Sequence, residues 1–187
     1  DRIPLQRTSI ETQIFPQMAA AKTLFAKELE GFWMDVGQPH DYLDGIGKFL
    51  PSLVGTPKEG PMGVVHEDKA SQLDYHVIGT VQVHPTATIG AGSVLGPNVT
   101  IGENAVIGPC TRIIQSAIFE NCKVGKGAYI NKAIIGWKST VGDFARVGEQ
   151  TVLGEDVHIK PELFINGAKV LPNKNLNVNV LEPQVIM

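Results

Sequence analysis

Between residues 83 and 113 an aliphatic side chain returns at every sixth position: Val83, Ile89, Leu95, Ile101, Ile107 and Ile113. Glycine follows four of them, as Gly90, Gly96, Gly102 and Gly108. The register slips by one at Ile118, resumes through Val124 and Ile130, and slips again at Ile135. It then runs through Val141, Val147, Leu153, Ile159 and Ile165, with Gly136, Gly142, Gly148 and Gly154 in step. A period of six is neither that of a helix nor that of a simple strand. It predicts a mainly β chain folded as a triangular β-solenoid, in which each hexad forms one short face and three hexads close a coil. The aliphatic residue points inward and stacks on its equivalents above and below. Gly, Asn and Asp at the corners supply the positive φ of sharp turns. From Tyr75 to Ile165 this makes about five coils, with the one-residue slips absorbed at corners.

Outside the repeat the pattern changes three times. In "TSIETQIFPQMAAAKTLFAKEL", Thr8 and Glu11 form a capping-box arrangement. Ile10, Ile14, Met18 and Phe25 then fall near helical spacing, and Pro16 kinks or splits the segment. "GFWMDVG" is short, apolar and partly β-prone, which predicts a strand ending at Asp35. "PHDYLDGIGKFLPSL" predicts a helix with Tyr42, Leu43, Ile46, Phe49 and Leu50 on one face. Residues 1–54 therefore read as the end of an α/β domain, too short to close a sheet alone. Residues 55–75 have linker composition with one short strand at Gly63–His66. The solenoid spans 76–166. Residues 167–187 lose the repeat and read as an irregular tail that caps the end coil.

Composition narrows the function classes. A formal charge of −3 with scattered Lys and Arg offers no electrostatic case for nucleic acid or an anionic membrane. No apolar run approaches the roughly 18 residues of a membrane span, and no signal peptide is expected. Cys110 and Cys122 lack zinc-type spacing and read as buried free thiols in a reducing, cytoplasmic setting. The first residue is Asp1, so the chain is expected to be a piece of a longer protein.

Two kinds of chemistry suit such a solenoid. An acyltransferase needs a histidine base at an exposed coil edge, for which His84 and His158 are candidates, with His76 at the entrance. Each adjoins an inward aliphatic position and is read rather as decorating a corner or face. A nucleotidyltransferase needs a carboxylate-held metal, and Asp35 is the best single candidate because α/β folds place ligands at strand ends. A lone carboxylate there is otherwise a helix cap or turn residue. Asp41 and Asp44 read as helix N-terminal charges. "GAGSVLG" and "GKGAY" fit the hexad register and call for no phosphate.

"TSIETQIFPQMA" followed by "GFWMDVGQPHDYL" resembles the end of the nucleotidyltransferase domain in the mannose-1-phosphate guanylyltransferase family, in its catalytic, β-type form. "TVLGEDVHIKPELFINGAKVLP" and the terminal "EPQVIM" resemble that family's solenoid and last residues. The resemblance implies a left-handed β-helix, against the usual right-handed crossover. It implies formation of GDP-mannose and pyrophosphate from GTP and mannose 1-phosphate, with Mg²⁺ as cofactor. Carried over, Asp35 is one of two aspartates holding the metal, and Gly37 keeps backbone close to the sugar phosphate. The family's Gly-rich nucleotide loop, signature Lys and second metal aspartate have no counterpart here, so this piece alone is expected to be inactive. The solenoid would serve assembly, as a homo-oligomer or with a paralogous regulatory subunit. The competing readings are a non-catalytic paralogue, either an α-type subunit or a translation-initiation exchange-factor subunit, and a hexapeptide acyltransferase.

Overall fold

The computed structural model describes residues 3–53, 63–66 and 74–187, the strand at 63–66 by its backbone only. The chain divides into two compact units, Asp1–Trp33 and Met34–Met187.

In the first unit a single π-helical turn, Ile10–Ile14, runs into α1, Phe15–Ala20. Pro16 sits in the first turn of α1, where its missing N–H costs nothing, and the segment passes from π to α geometry there without a break. The N-cap is Ser9 rather than Thr8. Its Oγ accepts from the Thr12 N–H (3.3 Å), and its own N–H donates to Gln13 Oε1 (2.7 Å). Residues 24–30 form no regular element.

The second unit is the predicted solenoid. Chain order visits three parallel sheets in turn. The first face holds strands from His76–Val77 to Phe164–Asn166, the second from Thr80–Val83 to Val185–Ile186, and the third from Thr88–Ile89 to Asn175–Leu176. Seven parallel strands stack on the second face among the described residues, so there are about seven turns where the hexads predict five. Gly63–His66 is a strand as expected, and pairs antiparallel with Thr80–Val83 across the first coil's edge. The rest of the 55–75 linker, apart from Asp74 and Tyr75, lies outside the described residues. Among the described residues no helix is long and apolar enough to cross a membrane.

Inward columns of Val, Ile and Leu fill the core, including Leu95, Ile113, Ile130, Val147 and Ile165 on the first face, all buried. Small buried residues line the corners, and their hydroxyls are satisfied between coils. Ser139 Oγ donates to the Gly154 carbonyl (2.9 Å) and accepts from the Val157 N–H (3.0 Å). Cys122 occupies the equivalent place one coil earlier. It donates to the Gly136 carbonyl (3.0 Å), and burial pushes its thiol up to about 11. Cys110 is free too, but exposed rather than buried.

Paired equivalents lie 17 or 18 residues apart, as for Ile113 with Ile130 and Val147 with Ile165. Both predicted slips fall at one corner, between first and second faces, where Ile113 to Ile118 and Ile130 to Ile135 are five-residue steps. Ile165 to Val170 is a third such step. Residues 167–187, expected as an irregular cap, thus carry strands Lys169–Val170, Asn175–Leu176 and Val185–Ile186 that pair in parallel on the stack.

Corner positive φ comes mostly from Asn98, Asn104, Asn121, Asp156, Asn173 and several longer side chains. Most of the in-step glycines serve close approach instead. A Cβ on Gly90 would lie 2.4 Å from the Pro109 nitrogen, and one on Gly142 2.3 Å from the Pro161 nitrogen.

Candidate functional site

The carboxylate singled out by sequence lies just before the helix that clamps onto the solenoid. That helix, α2, spans Pro39–Ser52, with Gln38 as its N-cap and Pro39 in the first turn. Leu43, Ile46 and Leu50 are buried against Ala117 on the second face, with Phe119, Ile134 and Leu53 packed around them. Ala117 and Ile134 are outward-facing strand positions, so the apolar stripe of α2 covers an apolar patch on the sheet. Tyr42 and Phe49 lie on the predicted apolar face yet stay partly exposed, at 36% and 43%.

The turn before α2 is held at two points. Asp41 Oδ2 accepts from the Gln38 N–H (2.9 Å) and the Gly37 N–H (3.3 Å), and Oδ1 lies 3.2 Å from His40 Nε2. Asp41 thus plays the expected helix N-terminal role. Met34 packs on α2 where Gly45 leaves room, a Cβ there lying 3.6 Å from its sulfur. Between these anchors Asp35 is exposed and has no hydrogen-bond or ion-pair partner among the described residues. The predicted strand ending at Asp35 is absent: residues 32–36 are irregular, with no neighbouring strand among the described residues to complete a ladder. Trp33 is 69% exposed. The Gly37 N–H is already spent on Asp41.

No cluster of three His, Cys, Asp or Glu side chains arranged for a metal occurs among the described residues. Asp35 therefore offers one carboxylate. That fits a magnesium site in part, because Mg²⁺ is commonly held by one or two carboxylates with phosphates and water completing its shell. Tyr42 stacks edge-on against Phe119 (6.1 Å), which stacks on Trp137 (4.6 Å). Burial, and then the nearby Glu120 carboxylate, push the Tyr42 hydroxyl above its ordinary range.

The histidines fall on the solenoid surface. His84 Nδ1 meets Thr86 Oγ1 at 2.8 Å and accepts from the Thr86 N–H, closing a corner turn. His158 Nε2 lies 3.1 Å from Asp156 Oδ1 beside an open groove of about 720 Å³ on the third face, and both side chains are nearly half exposed. His76 is exposed on the first strand of the first face. No two of the three share a site.

Residues 77–186, nearly the whole solenoid, match the profile of the GMPPB C-terminal domain. The chain belongs to this family. Across all 187 residues this GMPPB-type chain is 42% identical to mannose-1-phosphate guanylyltransferase 1 of Arabidopsis thaliana. It is 49% identical to the mannose-1-phosphate guanylyltransferase catalytic subunit beta of Drosophila pseudoobscura pseudoobscura. It spans 49% and 48% of those proteins, about half the length of the curated relatives it matches. Among solved structures, PerB from Caulobacter crescentus, in complex with CoA and GDP-perosamine, is similar with a TM-score of 0.51 and 17% identity. The match covers 55% of this chain and 50% of PerB, and shows a shared solenoid fold alone.

Sequence reasoning missed a polar pocket of about 350 Å³ between the flank of α2 and the corner joining first and second faces. Its solenoid wall comes from Asn98, Gln115, Lys132 and Gln150, one side chain per coil. The visible signal was their spacing of 17, 17 and 18 residues, which matches the coil length.

Proposed function

We propose that this chain is the C-terminal half of a mannose-1-phosphate guanylyltransferase of the catalytic β type. The single observation that carries the reading is identity of 41–49%, along the whole of this chain, to proteins bearing that name, extending through the Asp35 turn as well as the solenoid. In the reaction, a phosphate oxygen of mannose 1-phosphate attacks the α-phosphorus of GTP. The bond to the β-phosphate bridging oxygen breaks, pyrophosphate leaves, and GDP-mannose forms. Mg²⁺, when bound, supplies neutralisation of phosphate charge in this chemistry.

This chain's own contribution is positional. Asp35 is an unspent carboxylate on a turn tied to α2 by Met34 over Gly45 and by Asp41 beneath Gln38 and Gly37. Docked on the solenoid, α2 gives that turn a rigid base, which metal-ligating carboxylates need to hold geometry. Gly37 presents no side chain beside Asp35 and suits close approach of a sugar phosphate.

The solenoid serves assembly in this reading, as a homo-oligomer or with a paralogous regulatory subunit. Tyr129 and Phe164 stand exposed on the first face with Arg112 and Arg146 between and beside them, and aromatic and Arg side chains are enriched at interfaces. Free thiols at Cys110 and Cys122 fit a cytoplasmic location.

The test joins this chain to an upstream nucleotidyltransferase half and measures GDP-mannose formed from GTP and mannose 1-phosphate with Mg²⁺. Magnesium-dependent product is the expected result. No product from the joined, folded protein overturns the reading in favour of a non-catalytic paralogue.

A further inference from the structure

The pocket beside α2 carries several polar groups that the fold leaves unspent. His40, which is paired with Asp41, and Leu43, Asp44 and Lys48 line it from the helix, and Asn98, Gln115, Lys132 and Gln150 line it from the corner. All four corner residues have left-handed φ: 57° at Asn98, 43° at Gln115, 51° at Lys132 and 64° at Gln150. Glycine would adopt that conformation at least steric cost, and glutamine and lysine are poorly suited to it. Four polar side chains stand there in a column, one per coil.

The helix side is shaped to match. Gly47 interrupts α2, where an alanine would favour the helix, and a Cβ there would lie 3.1 Å from Asn98 Nδ2. The absence of a side chain lets Asn98 reach the helix and form the pocket's end.

Among the described residues neither Lys48 nor Lys132 is ion-paired, and the side-chain amides of Asn98, Gln115 and Gln150 make no hydrogen bond. Two ammonium groups face one carboxylate, a local positive excess on a chain whose formal charge is −3. Ammonium groups take a phosphate, whereas amides and a carboxylate offer both donors and acceptors for hydroxyls. A volume of about 350 Å³ accommodates a small ligand rather than a polymer.

We propose that this pocket is a binding site for a sugar phosphate, separate from the Asp35 turn. The ammonium groups of Lys48 and Lys132 hold the phosphate, and Asn98, Gln115, Gln150 and Asp44 read the hydroxyls. The choice of a sugar phosphate rests on the guanylyltransferase reading; the presence of an anion site does not.

Calorimetric titration of this chain by itself tests the proposal, with mannose 1-phosphate, mannose and inorganic phosphate as separate probes. The expected result is saturable binding of mannose 1-phosphate, tighter than either of the other two. Lys48→Gln and Lys132→Gln each weaken it at least tenfold, while Lys123→Gln on the third face leaves it unchanged. Circular dichroism of each variant reports that the fold is retained. Absence of saturable binding, equal binding of inorganic phosphate, or indifference to both pocket substitutions overturns it. The readout involves no turnover, so its failure leaves the guanylyltransferase reading standing, and failure of that reading leaves an observed anion site standing.

Discussion

Gly142→Ala and Gly148→Ala are the same substitution at equivalent-looking positions, each just after an inward valine, yet they should differ in sign. A Cβ on Gly142 would lie 2.3 Å from the Pro161 nitrogen and 2.6 Å from the Lys160 carbonyl carbon. Ordinary contact begins near 3.4 Å, so the next coil would have to retreat by about 1 Å along its backbone, where no side chain can swing aside. Overpacking of this kind costs about 1–3 kcal/mol. For a chain of this length that lowers Tm by about 2–12 °C. At Gly148 the nearest atom is the Asn131 carbonyl oxygen at 3.7 Å, an ordinary contact, and φ is not left-handed. Alanine there restricts the unfolded chain and is neutral or stabilising by up to about 1 kcal/mol. Calorimetry gives Tm, and hydrogen exchange locates the damage. The bonds from Gly142 N–H to Ile159 carbonyl and from Glu162 N–H to Asp143 carbonyl should lose protection first in Gly142→Ala. Equal Tm for the two variants, or uniform loss of protection along the stack, would refute the close-approach account of these glycines.

Other expectations follow from α2 and the buried thiol. Leu50 is fully buried on the inner face of α2, so Leu50→Ala should cost the docking about 2–5 kcal/mol. Amide exchange in residues 39–52 would then accelerate while coils beyond Lys138 keep their protection; unchanged exchange in α2 would contradict the docking. With its thiol raised from 9.0 to about 11, Cys122 stays protonated in the folded state after the unfolded chain has lost its proton. Its stabilising contribution is full below the unfolded value and fades as pH rises through that window. Thermal melts should therefore decline between pH 9 and 11, with a shallower decline in Cys122→Ala. In the native protein at pH 8, iodoacetamide should modify exposed Cys110 and spare Cys122, and equal labelling would count against the burial.

The solenoid was legible because its cause is periodic. One inward side chain per face repeats with the coil, and the hexads name the large inward aliphatics from Leu95 to Ile165, while the corner residues such as Ala105, Cys122 and Ala145 fill the rest of the core. The two slips were legible as corners for the same reason. The last coils were not, because the five-residue step from Ile165 to Val170 coincides with a rise in Asn and Pro that resembles loop. Once that step is allowed, Val170 and Leu176 fall back into register six apart. The strand before Asp35 was over-read from local β-propensity, which lapses without a neighbour to complete the ladder. The amphipathic pattern of α2 disclosed an apolar stripe but not its receptor, since Ala117 and Ile134 lie on outward-facing positions that look unremarkable in the hexads. The pocket beside α2 joins residues more than fifty positions apart, and only the fold brings Lys48 to Lys132. Asp35 stood out in the sequence as the carboxylate at a predicted strand end, and the resemblance then gave it the role of a metal ligand.

The central claim is that Asp35, carried on the solenoid-docked turn, is a metal carboxylate of a GDP-mannose-forming enzyme. It is tested most directly by Asp35→Asn in this chain joined to an upstream nucleotidyltransferase half, with initial rates of pyrophosphate release followed across a Mg²⁺ titration. Loss of a metal carboxylate should lower kcat at least about 100-fold and move half-saturation to higher Mg²⁺, with Tm unchanged because Asp35 is exposed and unpartnered among the described residues. Wild-type kcat with an unshifted magnesium dependence would contradict the account.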